Sequence, residues 1–497
     1  MLLIKNGKII DGSGKPAYKA DILISGDKIS AIGTIPKKSG IETIDALGRV
    51  IAPGFIDPNT DSDHYLTLWS DPGQGDFIRQ GVTTIIGGHC GASLAPLLYG
   101  SLASIRKWAD ITQINVGWHS VADFLRVLEE KKLGVNFGTL IGHSTIRRAL
   151  IGEALRDLTD NELLVFADIV KKSLKEGALG LSTGLGYAHS ALVPFTEIKQ
   201  LAEVVANHGG VYASHLRNDN SKLIEAVREI IEITKISKVR SLISHLRPLT
   251  GFENEISETR KMISELDPSI DLHFDIFPFD TSYIPIYTLM PDWAKRGNLE
   301  TMWESLTRHA TREQIKKELS LIMPEKIIIA SAPSNKYLTG KTVAEFAKDH
   351  GVIREEALVE LMVLTRMKAV LIYENINKKI AEEMIFDDHA LIGSNGASRS
   401  ADEYAISPER GLKTFPKFLE LASQKPGYSR ELAIKKITYS VARKFGVNGR
   451  GLIKEGFFAD LVMLDAAKAE FVFVNGKMAL ADGELRDARA GQIIKKS

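Results

Sequence analysis

The chain has 497 residues, 44% of them hydrophobic and 25% charged, with a formal net charge of +1. That length argues for a large barrel-type domain with a smaller companion, and the near-zero charge leaves no basic surplus for nucleic acid or an anionic membrane. The lone cysteine, Cys90, excludes an internal disulfide and points to a reducing compartment; with no apolar run of membrane-spanning length, the expectation is a soluble cytoplasmic protein.

Residues 1–52 alternate short apolar runs with turn residues. Ile4-Lys5-Asn6-Gly7-Lys8-Ile9-Ile10 places an Asn-Gly pair between two strand-like runs, a hairpin signal. The segment 448–497 has the same texture, with Phe471-Val472-Phe473-Val474 before Asn475-Gly476. Two β-rich ends around a long middle predict one small β domain, a β-sandwich, built from both termini.

The middle, 53–447, alternates strand-like runs with amphipathic helical ones. Strands are expected at Thr83–Ile86, Asn136–Gly142, Gly177–Leu181, Gly210–Ser214, Ser241–Ser244, Leu272–Ile276, Lys326–Ala330 and His389–Gly393. Between several of them, Leu163–Glu176, Phe195–His208 and Ser221–Thr234 carry apolar residues at helical spacing. This rhythm is that of an α/β (β/α)8 TIM-type barrel, in which chemistry sits at the carboxyl ends of the strands. Residues 280–344 interrupt it and read as an insertion.

Polar residues do collect at those ends. Cys90 follows the first strong strand, His143 follows Gly142, and His215 and His245 each close a strand; Asp275 and Ser394-Asn395-Gly396 follow others. One histidine after a strand is ordinarily a rim or core residue. A cysteine and two histidines on three strands form an accepted ligand set for catalytic zinc, with a fourth position left for water. Thiolate and imidazole favour zinc over the oxygen-seeking magnesium and calcium. Trp293 and Trp303, in the insertion, read as local packing.

The motifs Leu3–Gly12, Pro53-Gly54-Phe55-Ile56-Asp57, the Cys90 stretch, Gly142-His143 with Arg147, Glu176–Ser182, Gly184-Leu185-Gly186-Tyr187, His215-Leu216-Arg217, Ile243-Ser244-His245, Pro408 with Arg410, and Gly451–Asp465 occur in an order that resembles the amidohydrolase superfamily. More specifically, they resemble its D-aminoacylase (N-acyl-D-amino-acid deacylase) family. The resemblance implies a metal-dependent hydrolase of the amide in small N-acyl-D-amino acids. It places one zinc on Cys90, His215 and His245, and a substrate carboxylate on Arg410, with Arg217, Arg247 and His143 as further substrate contacts.

The sequence departs from the family's pattern at Phe277 and Phe279, where tyrosines are usual, at Arg247, where a lysine is common, and at two places that bear on catalysis. Asn59-Thr60-Asp61 stands where the family has the His-x-His of a second, weaker metal, so a second site of that kind is not expected. Asn395 stands in the Ser-Asp-Gly motif of the catalytic aspartate, and an amide has no useful basicity at neutral pH. Asp61, Asp63, Asp387 and His64 are the candidates to take over the proton transfer from the Asn395 position. Two alternative functions follow: a catalytically weakened relative with one zinc and a binding role, and a hydantoinase-like hydrolase of cyclic amides.

Overall fold

The computed structural model describes residues 1–109, 111–295, 297–320, 322–399 and 405–496. Eight short parallel strands form its centre: β1 (Phe55–Asp57), β2 (Val82–Gly87), β3 (Asn136–Thr139, continued past Leu140 by Ile141–Gly142), β4 (Gly180–Gly184), β5 (Val211–His215), β6 (Arg240–Ile243), β7 (Leu272–Ile276) and β8 (Ala390–Ile392). Each pairs in parallel with the next. The ring is joined beyond β8 and β1 by a parallel bridge between Thr60 and Gly396, with Asn395 N–H donating to the Asn59 carbonyl at 2.9 Å and Asp61 N–H to the Gly396 carbonyl at 2.7 Å. The fold is therefore a (β/α)8 barrel. Inward-pointing Ile56, Ile86, Leu140, Leu179, Val211, Leu242 and Leu391 pack its interior, the filled core such a barrel requires.

The helix Asp160–Lys175 shows why the outer layer forms. Thr159 accepts from the Glu162 N–H and Glu162 reaches back to the Thr159 N–H, a capping box that satisfies orphan donors of the first turn. Phe166, Val170 and Leu174 then recur every fourth residue and bury one face.

Both chain ends contribute to a nine-stranded sheet, with Val50–Pro53 pairing antiparallel to Leu461–Asp465 at the join. Alternation along those two strands serves two cores. Ile51, Leu461 and Met463 face the small domain's own core, while Val50, Ala52, Val462 and Leu464 pack against the barrel.

One expected barrel strand lies elsewhere. Lys326–Ala330 overlaps Ile327–Ser331, which pairs antiparallel with Val370–Glu374, itself paired with Thr281–Pro285, in a three-stranded sheet of the insertion. The eighth barrel strand is instead β1, only three residues long. The insertion thus runs on to Glu374, past the expected limit of 344. Among the described residues no helix is long and apolar enough to cross a membrane.

Candidate metal centre and active site

Cys90, His215 and His245 come together at the carboxyl ends of β2, β5 and β6. Cys90 Sγ lies 3.8 Å from His215 Nδ1 and 3.4 Å from His245 Nε2, and the two nitrogens are 3.0 Å apart. A tetrahedral zinc with Zn–N near 2.05 Å and Zn–S near 2.3 Å requires edges of about 3.3 Å between nitrogens and about 3.6 Å between sulfur and nitrogen. The donor set and spacing therefore fit one zinc ion, and these three residues form the one such cluster of histidine, cysteine and acidic donors among the described residues.

The backbone is bent to present them. Cys90 (φ 54°), His245 (φ 40°) and Asn395 (φ 45°) all occupy the left-handed region, which costs a non-glycine residue about 1–3 kcal/mol and collects at functional sites. Two glycines allow close approach: a Cβ at Gly184 would meet the Cys90 carbonyl oxygen at 2.2 Å, and one at Gly186 would meet His215 Nε2 at 2.8 Å. Tyr187, next in line, stacks on His215 with ring centroids 4.6 Å apart. The His245 N–H donates to Asp275 Oδ1 at 3.0 Å, fixing the turn after β6.

Electrostatics prepare the ligands unequally. Burial, then the charge of Arg247, holds His215 well below its ordinary pKa; burial, then His215, does the same for His245. Both imidazoles are thus neutral, the form that ligates. Burial pushes the Cys90 thiol up, and Asp61 adds to the effect. The thiol therefore ionises only against a cation, as coordinating thiols do.

The rest of the barrel mouth has a different character. Asp61 Oδ2 accepts from Asn395 Nδ2 at 2.9 Å, and Asp61 Oδ1 lies 2.9 Å from His64 Nδ1. His64 Nε2 lies 3.1 Å from the Ala92 carbonyl oxygen, so with both ring nitrogens facing acceptors the ring is cationic. Burial opposes that charge, but Asp63 and the hydrogen bond that His64 donates to Asp61 outweigh it and raise the His64 pKa to about 9. Trp108 lies flat on the His64 ring, 4.2 Å away and 3° from parallel. Asn59 Nδ2 donates to both oxygens of Asp275 at 3.2 Å, so Asn59 serves a carboxylate; burial raises the pKa of Asp275 to about 8.

The other expected site residues are placed as follows. Arg410 is buried beside the Asn395–Asp61 pair: its Nε and Nη2 donate to the Asn395 carbonyl at 3.0 and 2.8 Å, and it lies over the Phe277 ring. Arg247 pairs with Asp219, donates to Ser282 Oγ at 3.1 Å, and keeps a buried Nε with no hydrogen-bond partner. Asp63 accepts the Gly88 N–H at 2.7 Å and so braces the turn leading to Cys90. His143 Nε2 is 2.8 Å from Glu197 and its ring packs on Phe166, between barrel and helices. Arg217 forms a two-point pair with Glu229, at 3.0 and 2.7 Å, and caps the carbonyls of Ala191 and Val193. The structure gathers Cys90, His215, His245, Asp61, Asn395 and Arg410, with Arg247 beside the histidines; His143 and Arg217 are engaged elsewhere.

Sequence reasoning missed Trp108 and Tyr187. The signal for Trp108 was the long stretch after β2, residues 88–120, whose one regular element among the described residues is the three-residue turn Ile111–Gln113. Loops of that length are uncommon unless they serve a site.

No family model matches the chain. It is 28% identical over its full length to a D-aminoacylase of Alcaligenes xylosoxydans xylosoxydans, covering 98% of that protein, and 27% identical over 99% of its length to an N-acyl-D-aspartate deacylase of the same organism, covering 94% of it. Solved D-aminoacylase structures superpose on the whole chain with a TM-score of 0.82 at 26% identity, covering 99% of their own length; one is described in terms of a binuclear centre with one-metal activation and second-metal attenuation. End-to-end likeness in sequence and in fold supports one resemblance: the chain is similar, over its whole length, to the D-aminoacylases and N-acyl-D-amino-acid deacylases of the amidohydrolase superfamily.

Proposed function

We propose that this protein hydrolyses the amide bond of N-acyl-D-amino acids, releasing a carboxylate and a free amino acid, with one zinc on Cys90, His215 and His245. The observation that carries the reading is the convergence of these three donors, at edges of 3.0, 3.4 and 3.8 Å, inside a barrel of this family. When bound, zinc supplies Lewis acidity, making water acidic and polarising an amide carbonyl at neutral pH.

Proton transfer falls to Asp61. In the family it resembles the carboxylate of this region sits after β8; here Asn395 holds that position and donates its amide N–H to Asp61, which follows β1. The carboxylate thus stands on the β1 side of the seam, where the resemblance expects a histidine, and not on the β8 side. Asp61 Oδ2 accepts the proton of the attacking water and returns it to the departing nitrogen, while the Asn395 amide and the His64 imidazolium orient the carboxylate. Arg410 holds the substrate carboxylate through the guanidinium edge not spent on Asn395, and Arg247 lends a second cation. The reducing compartment inferred from Cys90 agrees with a zinc thiolate. The test is a panel of N-acyl-D- and N-acyl-L-amino acids against zinc-loaded and chelator-stripped protein. Zinc-dependent turnover of D-substrates is expected; no zinc-dependent turnover of any member contradicts the proposal.

A further inference from the structure

One ring away from the zinc ligands lies a cavity the proposed reaction does not use. Residues 103–107, Arg148, His189 and the insertion at Tyr287 and 297–302 line it. Three nitrogen donors line the wall, Lys107 Nζ, Arg148 Nη1 and His189 Nε2, and all three are shut from solvent without a hydrogen-bond partner. Lys107 Nζ rests 3.3 Å from the centre of the Tyr187 ring, and Tyr187 stacks on His215. The charges do not balance: Arg106 and Arg148 each meet Glu153 at 3.0 Å, so one carboxylate answers two guanidiniums while Lys107 has none. Buried charges in folded proteins are paired, because an unpaired one forfeits its hydration. Burial, and next the charge of Arg148, hold Lys107 well below its ordinary pKa.

We infer that Lys107, Arg148 and His189 form an anion subsite that takes a second carboxylate of the substrate, carried away from the scissile amide. This rests on the hydrolase reading for the substrate's identity, but the cavity and its orphan donors stand without it. Arg410 takes the α-carboxylate, so the second carboxylate belongs either to the amino-acid side chain or to the acyl group. The chemistry is shared, and the substrate decides the source.

Two experiments test the subsite. In the first, kcat/KM is compared for N-acetyl-D-alanine, N-acetyl-D-glutamate and N-succinyl-D-alanine, in wild type and in Lys107→Met and Arg148→Met. One acidic substrate is expected to exceed the neutral one by at least about tenfold, and both variants to erase that preference through KM; preference for the glutamate or the succinyl compound identifies the source. No acidic preference, or one that survives both variants, overturns the inference. The second experiment needs no turnover. Glutarate is titrated into zinc-loaded protein and its Kd measured, with Arg410→Met reporting the share bound at the α-carboxylate position. Lys107→Met is expected to fold, since it removes a buried amine that has no hydrogen-bond partner, and to weaken glutarate by at least about tenfold. Equal affinity in Lys107→Met and wild type overturns the subsite even if every substrate is hydrolysed. Lost turnover with glutarate binding still dependent on Lys107 counts against the hydrolase reading alone.

Discussion

The two halves of the barrel mouth differ in how closely they match the chemistry of the family the chain resembles. At the ends of β2, β5 and β6, a thiol and two neutral imidazoles stand at zinc spacing, braced by Gly184, Gly186 and Asp275. Across the seam between β8 and β1, an amide, Asn395, stands where the resemblance expects an aspartate and a carboxylate, Asp61, where it expects a histidine, while Asn59 donates a hydrogen bond to Asp275. The metal half is held by coordination geometry, which tolerates few ligand types. The proton-transfer half requires a carboxylate in one region of space and is indifferent to which strand supplies it.

That contrast can be broken from the metal side first. Cys90→Ala is expected to remove zinc and all zinc-dependent turnover, read by metal analysis alongside the assay; zinc at the wild-type level would dissolve the distinction between the halves. Because the thiol ionises only against a cation, zinc loading near neutral pH should release about one proton per metal, measurable by calorimetry in buffers of different ionisation enthalpy. Next in size is Arg410→Lys, which keeps the charge but loses the planar fork, and should cost about 1.5–3 kcal/mol in kcat/KM with zinc retained.

Gly184→Ala drives a Cβ to 2.2 Å from the Cys90 carbonyl oxygen, so the backbone must move. Overpacking of this kind costs about 1–3 kcal/mol, and zinc affinity should fall with stability, seen in denaturant unfolding with and without metal. His64 sharpens the comparison through pH. Its folded pKa of about 9 exceeds the ordinary value of 6.5, so its contribution is complete below about pH 6.5 and is lost as pH rises through 9. Stability should decline across that window, and His64→Asn should flatten the decline while leaving zinc content unchanged. The smallest effect belongs to Trp293→Phe. Trp293 is 37% exposed, and its indole N–H meets Glu318 far from either half; a change within about 0.5 kcal/mol is expected, with activity unaltered.

What could be read in the sequence followed from strand geometry. A polar residue ending a buried β-branched run points into the barrel mouth, so Cys90, His215 and His245 were visible before any coordinates. β1 was not, being a three-residue run directly after Pro53-Gly54, and Ile327–Ser331 imitates a barrel strand until its antiparallel partner is known. Arg217 sits in a strand-end motif, yet Glu229 on the following helix claims its guanidinium. Nothing in sequence spacing shows that Trp108 lies on His64 or that Asn395 hands its amide to Asp61. Those contacts exist only once the barrel has closed.

The placement of the carboxylate on the β1 side of the seam is tested most directly by kcat in Asp61→Asn and in the double variant Asp61→Asn with Asn395→Asp, both at measured zinc stoichiometry. With zinc retained, the single variant should lose about 100- to 10,000-fold, and the double variant should regain most of it by returning the carboxylate to the β8 side. Wild-type kcat in Asp61→Asn with full zinc would contradict the account.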